Sequence, residues 1–167
     1  VINRVGTHSS KWDNMQAKYG VSPETGIAMW VADMDFMPPP AVNDVVRQAA
    51  THGVHGYFGD DGDYRQALIG WMQRRHNWSV QSDWIINAHG LGSAIGTCLQ
   101  AFSEVGDGVI VFSPVYHAFG RIINANGRQV VESPLVDLNG RYYMDLDHLE
   151  TQLTGNEKIL LFCSPHN

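Results

Sequence analysis

The sequence predicts an α/β domain with helices on both faces of its sheet, preceded by an N-terminal arm. Three observations carry this. From Pro40 onward, segments with helical spacing alternate with short strand-like runs. The runs "GVIVFS" and "KILLFCS" are almost continuously apolar, as expected when both faces of a sheet are covered. Residues 1–40 hold little periodicity, several polar residues and the stop sequence "MPPP", so they read as an arm that packs on something else.

Each element follows from local chemistry. "PAVNDVVRQAATHG" is a helix: Pro40 suits its first turn, Val42, Val45, Val46 and Ala49 form one face, and Gly53 stops it. In "GDYRQALIGWMQRRHNW", Asp63 can cap a second helix, and Tyr64, Ala67, Leu68, Trp71 and Met72 recur at helical spacing. "DWIINA" reads as a short strand. "LGSAIGTCLQAFSEVG" is a helix with Leu91, Ala94, Ile95, Cys98, Leu99 and Phe102 facing inward. After the strand "GVIVFS", "HAFGRIINANG" is a helix ended by Gly127. "RQVVESPLV" and "GRYYMD" are strands, "DLDHLETQL" is a helix with Asp145 near its start, and "KILLFCS" is a strand.

Composition narrows the function. At 44% hydrophobic and 17% charged, the chain of 167 residues can build a core. A net charge of −6, with no basic cluster beyond Arg74-Arg75, argues against nucleic acid or an anionic membrane as partner. No apolar run approaches the ~20 residues needed to span a bilayer. "VINRVGTHSS" has no signal-peptide core, and Cys98 and Cys163 both sit in apolar stretches. Reduced, buried thiols in a cytoplasmic protein are expected rather than a disulfide. His52 and His55 form a pair with no third ligand nearby, so no metal site is expected.

Ligands of such sheets bind outside the carboxyl ends of the strands. Three loops leave strand ends there. In "NAHGLGSAIG", Gly90, Gly92 and Gly96 have the spacing GxGxxxG, one residue too long for a dinucleotide fingerprint. The acid that would hold a ribose after "GVIVFS" is also missing, which sets nucleotide binding aside. A glycine-rich turn opening a helix still exposes N–H groups suited to a phosphate, although a tight turn without ligand is the ordinary reading. In "SPVYHAF", Tyr116 can lay its ring on a flat ligand or simply close the sheet edge. In "SPHN", Asn167 both donates and accepts hydrogen bonds, and alone counts as a turn residue. Together the three suit a small, planar, phosphorylated heteroaromatic, and pyridoxal 5′-phosphate (PLP) meets that description.

The stretches "WVADMDFMPPPAV", "HGVHGYFGDDGDYRQALIGWMQRRHNW", "DWIINAHGLGSAI", "GDGVIVFSPVYHAF" and "LLFCSPHN" resemble the N-terminal part of fold-type-I PLP enzymes, in order and over almost the whole chain. Within these, they resemble the MalY/PatB-type cystathionine β-lyase branch. The resemblance implies a three-layer α/β/α PLP-dependent transferase-like large domain, incomplete here, over residues 41–167. Residues 1–40 would be an arm belonging to the small domain. By the same resemblance, backbone amides at Gly90, Leu91 and Gly92 hold the cofactor phosphate. Gly92 stands where the family has Val, a change that touches packing more than amide donation. Tyr116 would stack on the pyridine ring and Asn167 would bond its phenolic oxygen. Tyr57 would reach the phosphate of a neighbouring subunit, implying a homodimer, although a core aromatic is the alternative. Ala32 and Asp33 would line the substrate pocket, with a turn or cap carboxylate the stronger alternative for Asp33.

Such an enzyme needs a Schiff-base lysine. Lys11 and Lys18 fall in the arm, and Lys158 at the start of the last strand, away from the three loops. None fits, so the resemblance implies a piece of a longer chain whose lysine, pyridine-binding acid and carboxylate-binding arginine lie beyond Asn167. The whole protein is expected to be a PLP-dependent C–S β-lyase acting on cystathionine or cysteine, and this piece to be inactive alone. An aminotransferase is the near alternative. A non-catalytic regulatory or binding protein of the same fold is the distant one.

Overall fold

The computed structural model describes residues 1–167, which fall into two units, Val1–Asp61 and Gly62–Asn167. The first unit opens with two short helices, α1 (Ser10–Asp13) and α2 (Met15–Tyr19), the second closed by Gly20 at φ 67°. It ends with α3 (Pro40–His52), which has proline in its first turn and Gly53 at φ 73° just past its end. This is the punctuation expected from the sequence. The sequence boundary at residue 40 and the division at Asp61/Gly62 differ, because α3 groups with the first unit.

The second unit begins with α4 (Gly62–His76). Arg65 Nη1 donates to Ser82 O at 2.6 Å and Ile85 O at 2.8 Å, which fixes the chain leaving a 3₁₀ turn at Ser82–Trp84. The expected strand "DWIINA" is therefore corrected. Its first two residues, Asp83 and Trp84, lie in that turn, and Ile85 is extended (φ −88°, ψ 117°) but belongs to no ladder. An extended run becomes a strand only when a neighbour takes up its N–H and C=O groups.

Next come α5 (Leu91–Phe102), β1 (Gly108–Ser113), α6 (Ala118–Ala125), β2 (Gln129–Leu138), β3 (Arg141–Met144), α7 (Leu146–Gln152) and β4 (Glu157–Leu160). The sheet order is β3-β2-β1-β4. β1 pairs in parallel with β2 (Val109↔Val130) and with β4 (Val109↔Ile159), whereas β3 runs antiparallel to β2. Parallel neighbours need a crossover, and α6 supplies it between β1 and β2. Asp145 caps α7 by accepting from His148 N–H at 2.9 Å, as its position in the sequence suggests.

The core lies on one face of the sheet. Val109 and Val111, alternate residues of β1, pack with Leu99 of α5 and Ile123 of α6, and with Ile95, Ile122, Val130, Ile159 and Leu161 around them. On the other face Phe112 is buried, but Leu160 and Phe162 are more than half exposed. α5 and α6 run side by side in the same direction, with Gly92 beside Ile122 and Gly96 beside Asn126. Their N-termini therefore lie at the same end.

Several expected burials are corrected. The faces Val42/Val45/Val46 of α3 and Tyr64/Trp71 of α4 are exposed, and so are Leu91, Cys98 and Phe102 of α5. Cys98 is a free, exposed thiol, and Cys163 is free and half-buried. The chain exposes 12935 Å². Two separate folded bodies of this combined mass would together expose roughly 9,800 Å². The helices form where their periodicity says, but the α3 stripe and the outer apolar residues of α4 and α5 lack a covering layer.

Candidate functional site

β1 and β4 run in parallel and deliver two loops past the same end of the sheet. Both loops begin with a cis Ser–Pro bond, Ser113–Pro114 and Ser164–Pro165. From the first loop, Tyr116 O accepts from Phe119 N–H at 3.0 Å as α6 starts. The Tyr116 ring meets Phe119 edge-on at 5.5 Å and His117 at 4.9 Å, and stays 43% exposed. From the second loop, His166 and Asn167 arrive opposite. Tyr116 and Asn167 line one hollow of about 450 Å³, together with Pro114, Leu135, Tyr142 and His166. One wall is an aromatic ring held at its edge, and another is a carboxamide with both donor and acceptor.

The glycine-rich turn is not part of that lining. Gly90 sits at φ 86°, ψ 154°, a region open essentially to glycine alone. Its carbonyl accepts the first α5 bond, from Ala94 N–H at 3.1 Å, and no side chain caps the helix. The first-turn amides of Leu91 and Gly92 are thus left for another acceptor. The Gly92 Cβ direction ends 3.5 Å from Ile122 Cδ1, ordinary contact, so a larger residue fits there at first reach. The α5 N-terminus stands beside α6, with Gly92 next to Ile122, six residues after Tyr116.

Tyr57 is fully exposed within the first unit. Ala32 is exposed. Asp33 binds Arg4 Nη2 at 2.6 Å, and that hydrogen bond holds its carboxyl below the ordinary carboxylate range. The neighbouring Asp35, which the sequence did not mark, is the centre of the cluster. It accepts from Lys11 Nζ at 2.9 Å, Trp12 Nε1 at 2.9 Å and Arg4 Nη1 at 3.1 Å. Those bonds, led by Lys11 and then Trp12, bring its carboxyl down to about 2. Lys11 also donates to Asp33 O at 2.8 Å, and Trp30 Nε1 donates to Lys11 O at 2.9 Å.

The three lysines are all engaged. Lys11 is buried in this cluster, Lys18 lies 4.5 Å over the Trp30 ring, and Lys158 donates to Gly155 O at 2.9 Å. The sequence also missed His166, Tyr142 and Leu135 as neighbours of the hollow. The only signal for His166 was its place before Asn167 in "SPHN", and hairpin geometry alone brings Tyr142 there.

The α/β architecture recurs in known proteins. Residues 25–167 match the family model "Aminotransferase class I and II". Cystathionine beta-lyase PatB of Bacillus subtilis (strain 168) is 39% identical over 165 residues, covering 98% of this chain and 42% of that protein. Protein MalY of Escherichia coli (strain K12) is 29% identical over 169 residues, 100% of this chain and 43% of that one. The crystal structure of cystalysin from Treponema denticola, which contains a pyridoxal 5′-phosphate cofactor, superposes with a TM-score of 0.89 at 38% identity, over 99% of this chain and 42% of that one. This chain therefore spans about two-fifths of the length of the relatives it matches. A family match over residues 25–167, with the fold shared at that superposition, leads to one conclusion: the chain belongs to the aminotransferase class I and II family, and its similarity runs to the MalY/PatB-type cystathionine β-lyase branch.

Proposed function

We propose that this chain is the cofactor-facing part of a PLP-dependent carbon–sulfur β-lyase that acts on cystathionine- or cysteine-type amino acids. The observation that carries the reading is the shared hollow of Tyr116 and Asn167 at the end of β1 and β4. The residues present fit the cofactor. The half-exposed Tyr116 ring offers a stacking face, the Asn167 carboxamide suits a phenolic oxygen, and the uncapped amides of Leu91 and Gly92, after Gly90, suit a phosphate. When bound, the group supplies an electron sink for charge developing at the substrate α-carbon.

This chain's own residues bind and orient. Tyr116 would hold the group by stacking on it, Asn167 by hydrogen bonding to it, and the α5 N-terminus would offset its anionic charge. No lysine stands at the hollow, so the chain alone is assigned binding and not turnover. Residues 41–167 are assigned to the cofactor-binding large domain and residues 1–40 to the small-domain arm. Ala32 and Asp33 are assigned to the substrate pocket. A homodimer is part of the proposal, supported by the bare Tyr57 ring that a second subunit can receive. No helix is long and apolar enough to cross a membrane. A cytoplasmic setting is assigned on the two free thiols.

Titration with PLP, read by absorbance and induced circular dichroism, tests the binding role. Tyr116→Ala and Asn167→Ala should each weaken binding by about tenfold, the equivalent of one stacking contact or hydrogen bond. Unchanged affinity in both refutes it. Incubation with PLP and an S-alkylcysteine should yield no steady pyruvate from this chain, and the complete protein should release pyruvate and ammonia. The family's name favours a second reading, an aminotransferase. Nitrogen transfer to a keto acid, without pyruvate release, would establish that reading instead.

A further inference from the structure

The sheet stops holding the two loops together before they reach the hollow. The β1–β4 ladder ends where Leu161 N–H donates to Ile110 O at 2.9 Å. Val111 to Tyr116 on one side and Phe162 to Asn167 on the other continue without ladder bonds between them. Two contacts span that gap. Phe112 meets Phe162 edge-on with centroids 6.2 Å apart. Further out, His166 Nε2 lies 2.6 Å from Pro114 O. No other hydrogen bond joins the two loops. A carbonyl oxygen only accepts, so the imidazole nitrogen carries the proton and donates.

We infer that His166 is a positioning residue. By donating to Pro114 O it sets the Asn167 carboxamide against the Tyr116 ring across the hollow. His166 is the residue immediately before Asn167, and Pro114 stands two residues before Tyr116. One hydrogen bond therefore closes a short cycle of chain, Ile110 to Pro114 and Leu161 to His166, and the two binding groups stand one and two residues beyond its outer end. Its position is exposed, where a neutral hydrogen bond contributes little to global stability, so its effect is concentrated in local order. The inference rests on the cofactor reading above for its purpose, but not for its geometry.

The test uses the full 167-residue chain as wild type, His166→Phe and His166→Gln. Glutamine keeps a donor near the Nε2 position, and phenylalanine keeps only the ring. The first readout needs no cofactor: ¹⁵N relaxation of the Asn167 side-chain amide. It should be ordered in the wild type, mobile in His166→Phe and restored in His166→Gln. The second is titration with PLP, which should weaken about tenfold in His166→Phe and recover in His166→Gln. Melting temperatures should agree within ~3 °C. Equal Asn167 order in all three proteins overturns the inference. So does a His166→Gln protein no better than His166→Phe, or a loss of order that tracks a falling melting temperature. If the wild type fails to bind PLP, the proposed function falls, while the relaxation data still decide the role of His166.

Discussion

Replacing Arg128 with methionine should remove the clamp between two helix ends. Arg128 is 8% exposed and lies between α6 and β2. Its Nε donates to Ser103 Oγ at 3.0 Å, Nη2 to Ser103 O at 2.5 Å and Nη1 to Asn126 O at 2.6 Å. Ser103 Oγ in turn donates to Leu99 O at 2.6 Å, in the last turn of α5. No carboxylate pairs with the guanidinium. Its charge is met by the carbonyl ends of α5 and α6, which carry the negative pole of each helix. Three hydrogen bonds from a charged donor contribute about 4.5–9 kcal/mol in total at the usual value for each. Burying one ion costs several kcal/mol of that. The difference leaves about 3 kcal/mol for the clamp, within the cost of orphaning two carbonyls, that of Ser103 buried and that of Asn126 half-buried. Equilibrium urea unfolding should show that loss for Arg128→Met. Arg128→Lys should fall between, because lysine keeps the charge but not the planar fork. A loss below about 1 kcal/mol for Arg128→Met would refute the clamp, since it is less than one orphaned carbonyl costs.

Three further outcomes follow from the same geometry. The Asp35 carboxyl is depressed to about 2, so the stability it contributes is present above its ordinary value of 3.8 and is lost as pH falls from there through 2. Trp12 and Trp30 fluorescence should report loosening of the first unit in that window, and Asp35→Asn should be looser at neutral pH and flatter across it. Gly90→Ala forces a side chain into φ 86°, ψ 154° and should cost about 1–3 kcal/mol in thermal unfolding, with weaker PLP binding because the α5 amides are re-aimed. Leu99→Ala empties the contact between α5 and β1, where Leu99 is 2% exposed, and should cost about 2–5 kcal/mol by urea titration. An unchanged midpoint would mean α5 does not seal that face.

Where chemistry is local, the reading from residues matched the structure. Pro40 and Gly53 bound α3, Gly127 follows α6, and Asp145 caps α7, because each acts on its own turn. The loops carrying Tyr116 and Asn167 were legible because each follows an apolar run and opens on Ser–Pro, although the same dipeptide at Ser133–Pro134 lies inside β2. "DWIINA" was misread because a strand is a relation between two segments and the second is not encoded in the first. The apolar stripe of α3, and Tyr64 and Trp71 of α4 and Leu91, Cys98 and Phe102 of α5, were correctly spaced yet remain exposed, because periodicity states which face seeks cover and not what covers it. Asp33 drew notice and Asp35 did not, although both stand in "ADMDF". Only folding brings Lys11, Trp12 and Arg4 around the second carboxylate.

Whereas α1 and α2 appear only in the structure, the sequence by itself determined helices α3 to α7, the punctuation of α3 and α7, the apolar strands and the loop residues able to meet a flat anionic ligand. These depend on neighbours a few positions apart, within reach of backbone sterics and hydrogen bonds. Tertiary structure alone decided that Tyr116, Tyr142, His166 and Asn167 share a hollow, and that Arg128 joins two helix ends. Such meetings depend on strand order and crossover path, which bring residues 52 positions apart to 2.6 Å at His166 and Pro114.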